Sequence, residues 1–294
     1  MLAINLDILT GFLLDFLVQF GVIISILFIA TKGRRFITQF SPNNNLYQGN
    51  MAVVISSIGF YISLIIIINT GIQGESFGYI YDMIIISSLI FFGLLFLAIN
   101  RLIVNFFYFK ELNPEHELGR ENIAFAIFQA GGFLATSIIF YKSFAGFELN
   151  LGLIYVGTLY FFITQISIFV VVKLFILKTP YDDIREIQKG NIAVSIEFLS
   201  LFISVALLFG NVTQAVVDIN LVSVATLFTY FIISSIFIIY LPTLLTSVLT
   251  SGNKRVDSSI GDGNILVAIK SAVIKIVIAI VIVETLPLNI VIIM

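Results

Sequence analysis

The chain has 294 residues, of which 59% are hydrophobic and only 11% charged, and its formal net charge is −2. A soluble domain of this length carries about a quarter charged residues, so the composition points to an integral membrane protein, and the slightly acidic balance leaves no basic surface for nucleic acid. Cysteine is absent, which removes disulfides, thiolate metal sites, iron–sulfur clusters and cysteine nucleophiles together.

Eight apolar runs succeed one another in chain order, roughly Ile8–Ala30, Met51–Ile72, Tyr79–Phe107, Ile123–Phe144, Leu151–Ile176, Ile192–Phe209, Leu221–Leu249 and Ile265–Leu286. At about 1.5 Å per residue each can cross a hydrocarbon core of about 30 Å as a helix, the third and seventh with length to spare for tilt. An acid and no base precedes the first run, while Lys32, Arg34 and Arg35 come after it. A cleaved signal peptide has the opposite order, so Ile8–Ala30 reads as a retained span.

An asparagine opens every even-numbered run, at Asn50, Asn122, Asn191 and Asn264, about 70 residues apart each time. Self-similarity at a fixed period marks a repeated building block. The unit is an odd helix, a polar loop and an Asn-initiated even helix, with copies at about 1–72, 73–144, 145–211 and 212–294 in one membrane domain of residues 1–294. Two crossings return the chain to its starting side, so the units run parallel and not inverted. The predicted fold is all-α: eight transmembrane helices from four parallel two-helix repeats.

Basic residues of the loops before the asparagines, among them Arg34, Arg120, Arg185, Lys189 and Arg255, far outnumber those opposite, where Lys142 stands near a helix end. The positive-inside rule then makes the Asn side cytoplasmic and puts both termini outside. The outer loops are very short and the inner ones far below domain size, so no soluble catalytic domain is expected.

Asparagine is among the best helix N-caps because its side-chain oxygen accepts from an orphaned backbone N–H. Gly49, Gly190 and Gly263 before it permit the tight entry. Capping is therefore the first reading of Asn50, Asn122, Asn191 and Asn264; the alternative is four helix N-termini converging on one mouth that attracts anions. Small residues recur at fixed offsets, Gly59 and Ser63, Gly131 and Ala135, Ser200 and Ser204, a spacing that lets membrane helices approach closely. In the fourth unit Val273 and Val277 take those places, so its packing must differ.

Charges inside the spans are the sharpest signal. At the sixth position after the asparagine the units read Ser56, Phe128, Glu197 and Lys270, so an acid and a base share a depth of about 9 Å in adjacent units and invite a pair. Lys275 lies about 16 Å in, near the midplane, where an unpaired lysine costs roughly 2.5–3.5 kcal/mol. Asp15 of the first run is its expected partner, a contact that would close the bundle. Two lysines five apart do not share a face, which leaves one free to snorkel. Asp15, Glu197, Lys270 and Lys275 are thus either registry devices between helices or the lining of an ion or proton path. Asn69, Asn100, Asn105, Gln129 and Gln165 read as interhelical hydrogen bonders or pore lining, and Pro242 predicts a kink in the seventh helix.

Catalytic templates are not found: there is no phosphate-binding Gly-rich loop, no zinc-protease motif and no nucleophile elbow. The sole histidine, His116, stands between Glu115 and Glu117, read as a solvated turn. No catalytic, metal-binding or cofactor-binding residue is assigned. The stretch Pro180-Tyr181-Asp182, Ile184, Glu186-Ile187, Lys189-Gly190-Asn191-Ile192-Ala193-Val194 has a weaker echo in Pro114-Glu115, Glu117-Leu118, Glu121-Asn122-Ile123-Ala124-Phe125-Ala126, continued by Ala130-Gly131-Gly132-Phe133. Together they resemble the YjfL-type family of bacterial inner-membrane proteins, a domain of unknown function, over about residues 49–210, with the fourth unit departing from the pattern. The resemblance implies a multi-pass membrane protein without an assigned activity. Two functions are carried forward: a channel or transporter-like ion or small-solute pathway, and a non-catalytic scaffold, a homo-oligomer or a dock for cytosolic proteins on its basic loops. The lipid bilayer is the one partner that composition implies.

Overall fold

The computed structural model describes residues 49–72, 79–107, 113–144, 151–215, 221–250 and 255–285, with scattered helical positions between 17 and 32. The described chain runs α1 (Met51–Ile72), α2 (Tyr79–Phe107), α3 (Pro114–Gly119), α4 (Ile123–Phe144), α5 (Leu151–Lys178), α6 (Asp183–Gln188), α7 (Ile192–Ala215), α8 (Leu221–Thr250), α9 (Val256–Gly261) and α10 (Ile265–Thr285). Seven of these helices are long and apolar enough to cross a membrane. Most of the first predicted span falls outside the described residues, and Asp15 with it.

Three short helices stand where the sequence suggests only polar loops. Asn113 starts α3 by accepting from the Glu115 N–H, with Pro114 at the first helical position, where its missing donor does no harm. Asp182 starts α6 by accepting from the Arg185 N–H. His116 therefore sits on a helix, its side chain 70% exposed, and Glu117 is not part of a solvated turn. It is buried, and it accepts from Arg120 Nε at 2.9 Å and Asn122 Nδ2 at 2.6 Å.

Each short helix turns sharply into the long helix after it. The backbone N–H groups of Asn122, Asn191 and Asn264 reach back to the carbonyls of Glu117, Glu186 and Ser259 at 2.9–3.0 Å. The turn needs a left-handed residue before the asparagine, supplied by Gly49, Gly190 and Gly263 at φ +78° to +89°. In the second unit Glu121 adopts φ 62° without being glycine, a strain of roughly 1–2 kcal/mol for a residue with a Cβ.

The four Asn-headed helices pack side by side as a row, α1 on α4, α4 on α7 and α7 on α10, with α2, α5 and α8 flanking it. Between lipid-like surfaces, close contact and not hydrophobic drive holds such helices together. A Cβ on Gly59 would lie 2.7 Å from the Ala130 Cα, and one on Gly131 would lie 3.0 Å from the Leu199 Cα. Phe128 of α4 fills the next gap, edge-on to Phe198 and Phe202 of α7. Ser200 and Ser204 are buried on α7, whereas Val273 and Val277 are more than half exposed on α10. The valines thus mark where the described row ends: with no further described helix packed there, small residues give way to an exposed apolar surface.

Candidate functional site

The asparagines do two jobs. Each side-chain oxygen caps its own helix: Asn50 accepts from Val53 N–H at 3.0 Å, Asn122 from Phe125 at 3.0 Å, Asn191 from Ala193 at 3.1 Å and Asn264 from Val267 at 3.2 Å. The side-chain amide then reaches into the next unit. Asn50 Nδ2 donates to the Leu118 carbonyl at 2.8 Å, Asn122 to Ile187 at 2.9 Å, and Asn191 to Ile260 at 3.4 Å and Gly261 at 2.9 Å. Leu118, Ile187 and Ile260 all stand four residues before the next asparagine. This is one bond made three times, tying each long helix to the short helix of its successor and holding all four starts at one end of the row. Asn264, in the last unit, is exposed. Asn50 and Asn122 are buried, each bonded to the short helix of the next unit.

Below this seam, α7 and α10 enclose a charge pair. Lys275 Nζ donates to Glu197 Oε2 and to the Glu197 backbone carbonyl at 3.4 Å. The two side chains are 1% and 3% exposed. The Phe175 ring of α5 lies 4.9 Å from the ammonium in a cation–π contact and packs edge-on against Phe198, the residue after Glu197. Glu197 Oε1 is buried without a hydrogen-bond partner among the described residues.

The pairing expected from depth, Glu197 with Lys270, is replaced by Glu197 with Lys275. Cα–Cβ bonds tilt toward the helix N-terminus, so the long side chain of the deeper Lys275 leans back to the shallower Glu197. Lys270 is rotated by about 140° from Lys275 around α10 and donates instead to the Leu249 carbonyl of α8 at 2.8 Å. Lys275 thus meets an acid other than Asp15, and α1 and α10 stand at opposite ends of the described row.

A second charged group lies toward the Asn-capped end. Lys178, the last residue of α5, donates to the Ile239 carbonyl at 3.2 Å and to Thr243 Oγ1 at 2.5 Å, and lies 3.5 Å from Asp257 Oδ1. Pro242 sits inside α8 between these partners. It lacks the N–H that would close the local ladder, and Lys178 supplies a donor beside the break. Of the amides singled out in the sequence, Asn100 donates to the Gly132 carbonyl, Gln129 accepts from Ser56 and Gln165 donates to Thr136, each between helices. Asn69 is exposed, and the side chain of Asn105 lies outside those described.

Asp183, at the head of α6, is a group that the sequence pattern does not single out. It is fully buried, its Oδ2 accepts from the Thr179 hydroxyl, and its Oδ1 has no partner among the described residues. Burial raises its carboxyl to about 7, a shift that the Thr179 bond opposes and the Asp182 charge reinforces. Between pH of about 4 and about 7 the folded chain holds this proton and the unfolded chain does not, so this residue's contribution to stability falls as pH rises through that window. Asp183→Asn removes the slope. Thermal midpoints in detergent at about pH 5 and about pH 8 should lie closer together in the variant than in the parent, by gain at the higher pH; an unchanged difference would mean that the carboxyl is ionised throughout.

Family comparison adds one positive finding. A family model described as Domain of Unknown Function (DUF350) matches residues 7–144 and again residues 149–286. Each match spans two of the four Asn-headed units, and together they extend well beyond residues 49–210 to take in the fourth. No curated protein and no solved structure matches the chain.

Proposed function

The chain belongs to the DUF350 family, carrying its domain of unknown function twice, and we propose that the second copy provides a proton path across a bacterial inner membrane, centred on Glu197 and Lys275. The observation that carries this reading is the buried pair itself. A chain sparing with charge keeps a carboxylate and an ammonium inside its helix row, and one carboxylate oxygen has no partner among the described residues. Ionisable groups at such depth are expensive and mark proton or ion routes by default.

Polar groups of the second copy are staggered along the helix axes in a way that suits this role. Lys178 and Asp257 stand at the Asn-capped end, and Glu197 and Lys275 lie below them. Ser200 and Ser204 continue along α7, the latter about 20 Å from the cap, and its hydroxyl is buried without a hydrogen-bond partner among the described residues. Ser234 and Tyr230 of α8 come next, both buried. The first copy is neutral at the matching place, where Ser56 donates to Gln129 at 2.6 Å. The path is therefore assigned to the second copy alone, and no catalysis is involved.

In this reading the full architecture is eight spans in four parallel two-helix units, with the Asn side cytoplasmic and both termini periplasmic, an orientation that the basic residues of that side support. Purified protein in liposomes holding a pH indicator, with an imposed potassium diffusion potential, tests it. The parent chain should acidify or alkalinise the lumen with the sign of the potential, and Glu197→Gln should reduce the rate by about tenfold or more while Ser56→Ala leaves it unchanged. Equal rates for the parent, Glu197→Gln and empty vesicles would end the proposal. They would instead favour the scaffold reading, to which the exposed Arg185 and Lys189 of the Asn side lend support.

A further inference from the structure

A cavity of about 570 Å³ lies outside the helix row, and neither Glu197 nor Lys275 lines it. Its wall is the lipid-facing side of α8: Ile236, Phe237, Tyr240, Leu241 and Leu244. Four of these are exposed large apolar side chains, Ile236, Phe237, Tyr240 and Leu244, and they line about 12 Å along the helix. At the Asn-capped end the wall turns polar, with Thr243 and Ser247 on α8 and Lys178, Arg255 and Asp257 around the mouth. A volume in the range of ligand pockets, about 300–1,000 Å³, thus has an apolar shaft open to the bilayer and a charged head at the membrane interface.

From this geometry we infer that the groove binds one anionic glycerophospholipid, with an acyl chain along α8 and the phosphodiester at the mouth. Charge decides the headgroup. Lys178 and Arg255 bring two positive charges and Asp257 one negative charge, so the mouth carries one net positive charge that a single phosphodiester neutralises. Lys178 is held in place by the Ile239 carbonyl and the Thr243 hydroxyl, while its distance to Asp257 is 3.5 Å. That carboxylate is at the limit of hydrogen-bond reach, which leaves the ammonium able to take a closer anion. Its side chain is 12% exposed, on the groove side. Arg255 is exposed at the rim, placed there as the residue before α9, where it makes no side-chain cap bond. Pro242 contributes as well: beside it, the Ile239 carbonyl and the Thr243 hydroxyl accept from Lys178.

The site shares Lys178 and Asp257 with the Asn-capped end of the proposed path but not the central Glu197 and Lys275, and its test is chosen to read lipid binding and not transport. Protein purified and delipidated in detergent is titrated with dioleoyl phosphatidylglycerol, dioleoyl phosphatidylcholine or inorganic phosphate, and bound lipid is counted by native mass spectrometry. Phosphatidylglycerol should bind the parent chain more tightly than phosphatidylcholine. Arg255→Gln should weaken phosphatidylglycerol binding by about fivefold, the attraction of one basic residue for an anionic surface, and leave phosphatidylcholine binding unchanged. Leu244→Trp, which fills the shaft from its exposed side, should weaken both lipids, and Glu197→Gln should affect neither. Equal binding of the two lipids to the parent chain overturns the inference. So does displacement of phosphatidylglycerol by inorganic phosphate at the same concentration, which would reduce the site to a bare anion site, and so does indifference to Leu244→Trp.

Discussion

Lys275→Met alone should lower the stability of the folded chain in detergent by about 3–5 kcal/mol, and adding Glu197→Leu should restore most of that loss. The asymmetry arises from the groups each change leaves behind. The ammonium is the one hydrogen-bond partner that Glu197's carboxylate has among the described residues, its other oxygen already lacking one. Both side chains are almost fully enclosed by α7, α10 and Phe175 of α5, so water cannot take over. The double variant removes both desolvation penalties, keeps a flexible side chain of similar length against the Phe175 ring, where a thioether is well received, and leaves two apolar helices in contact. Denaturant or thermal midpoints for the parent, the two single variants and the double variant give the coupling directly. Single losses below about 1 kcal/mol, with no recovery in the double, would mean that the pair is solvated in the native state and that the row opens to water at this depth. The same double variant separates structure from transport: it should be stable and should not move protons.

Much of this architecture can be read from the chain, and the unread part has an identifiable cause. Helices α1, α2 and α4 start and stop where their apolar runs do, because in a hydrocarbon core the backbone must satisfy itself along the whole run. Helix α7 continues to Ala215, past the polar Asn211 and Thr213, since polarity outside the core no longer argues for or against helix. The signals for α3 and α6 are present, an Asn-Pro start at 113–114 and an aspartate cap at 182, and are masked only because each helix they open is six residues long. Capping by the asparagines is local, and so legible. Their bonds to Leu118, Ile187 and Ile260 join residues 68–69 or 65 apart, which no local pattern encodes. The charge pair illustrates a different limit. Counting residues from the cap gives the depth of a Cα, but a lysine acts several ångströms from its Cα and in the direction its helix tilts it.

Asn122→Ala and Asn264→Ala should differ by about 2 kcal/mol although the two residues occupy the same place in their units. At Asn264 the side chain caps α10 from an exposed position through one bond to Val267 at 3.2 Å, and losing a cap costs about 1 kcal/mol. At Asn122 the cap bond is lost too, but so are the donors to Glu117 Oε2 and to the Ile187 carbonyl, each within a buried seam. A buried acceptor left without its donor costs roughly 1–3 kcal/mol, and Glu117 retains only Arg120 as a strong partner. Aspartate sharpens the comparison because it keeps the capping oxygen and deletes the amide. Asn264→Asp should be close to neutral, or slightly stabilising beside the positive end of the helix dipole. Asn122→Asp should be at least as damaging as Asn122→Ala, since it sets a second carboxylate against Glu117 and offers the Ile187 carbonyl no hydrogen. Melting of the four purified variants in detergent reads all of this at once. Equal costs at positions 122 and 264 would reduce the asparagines to independent caps; a large cost confined to the internal position makes them the stitches that hold one unit to the next.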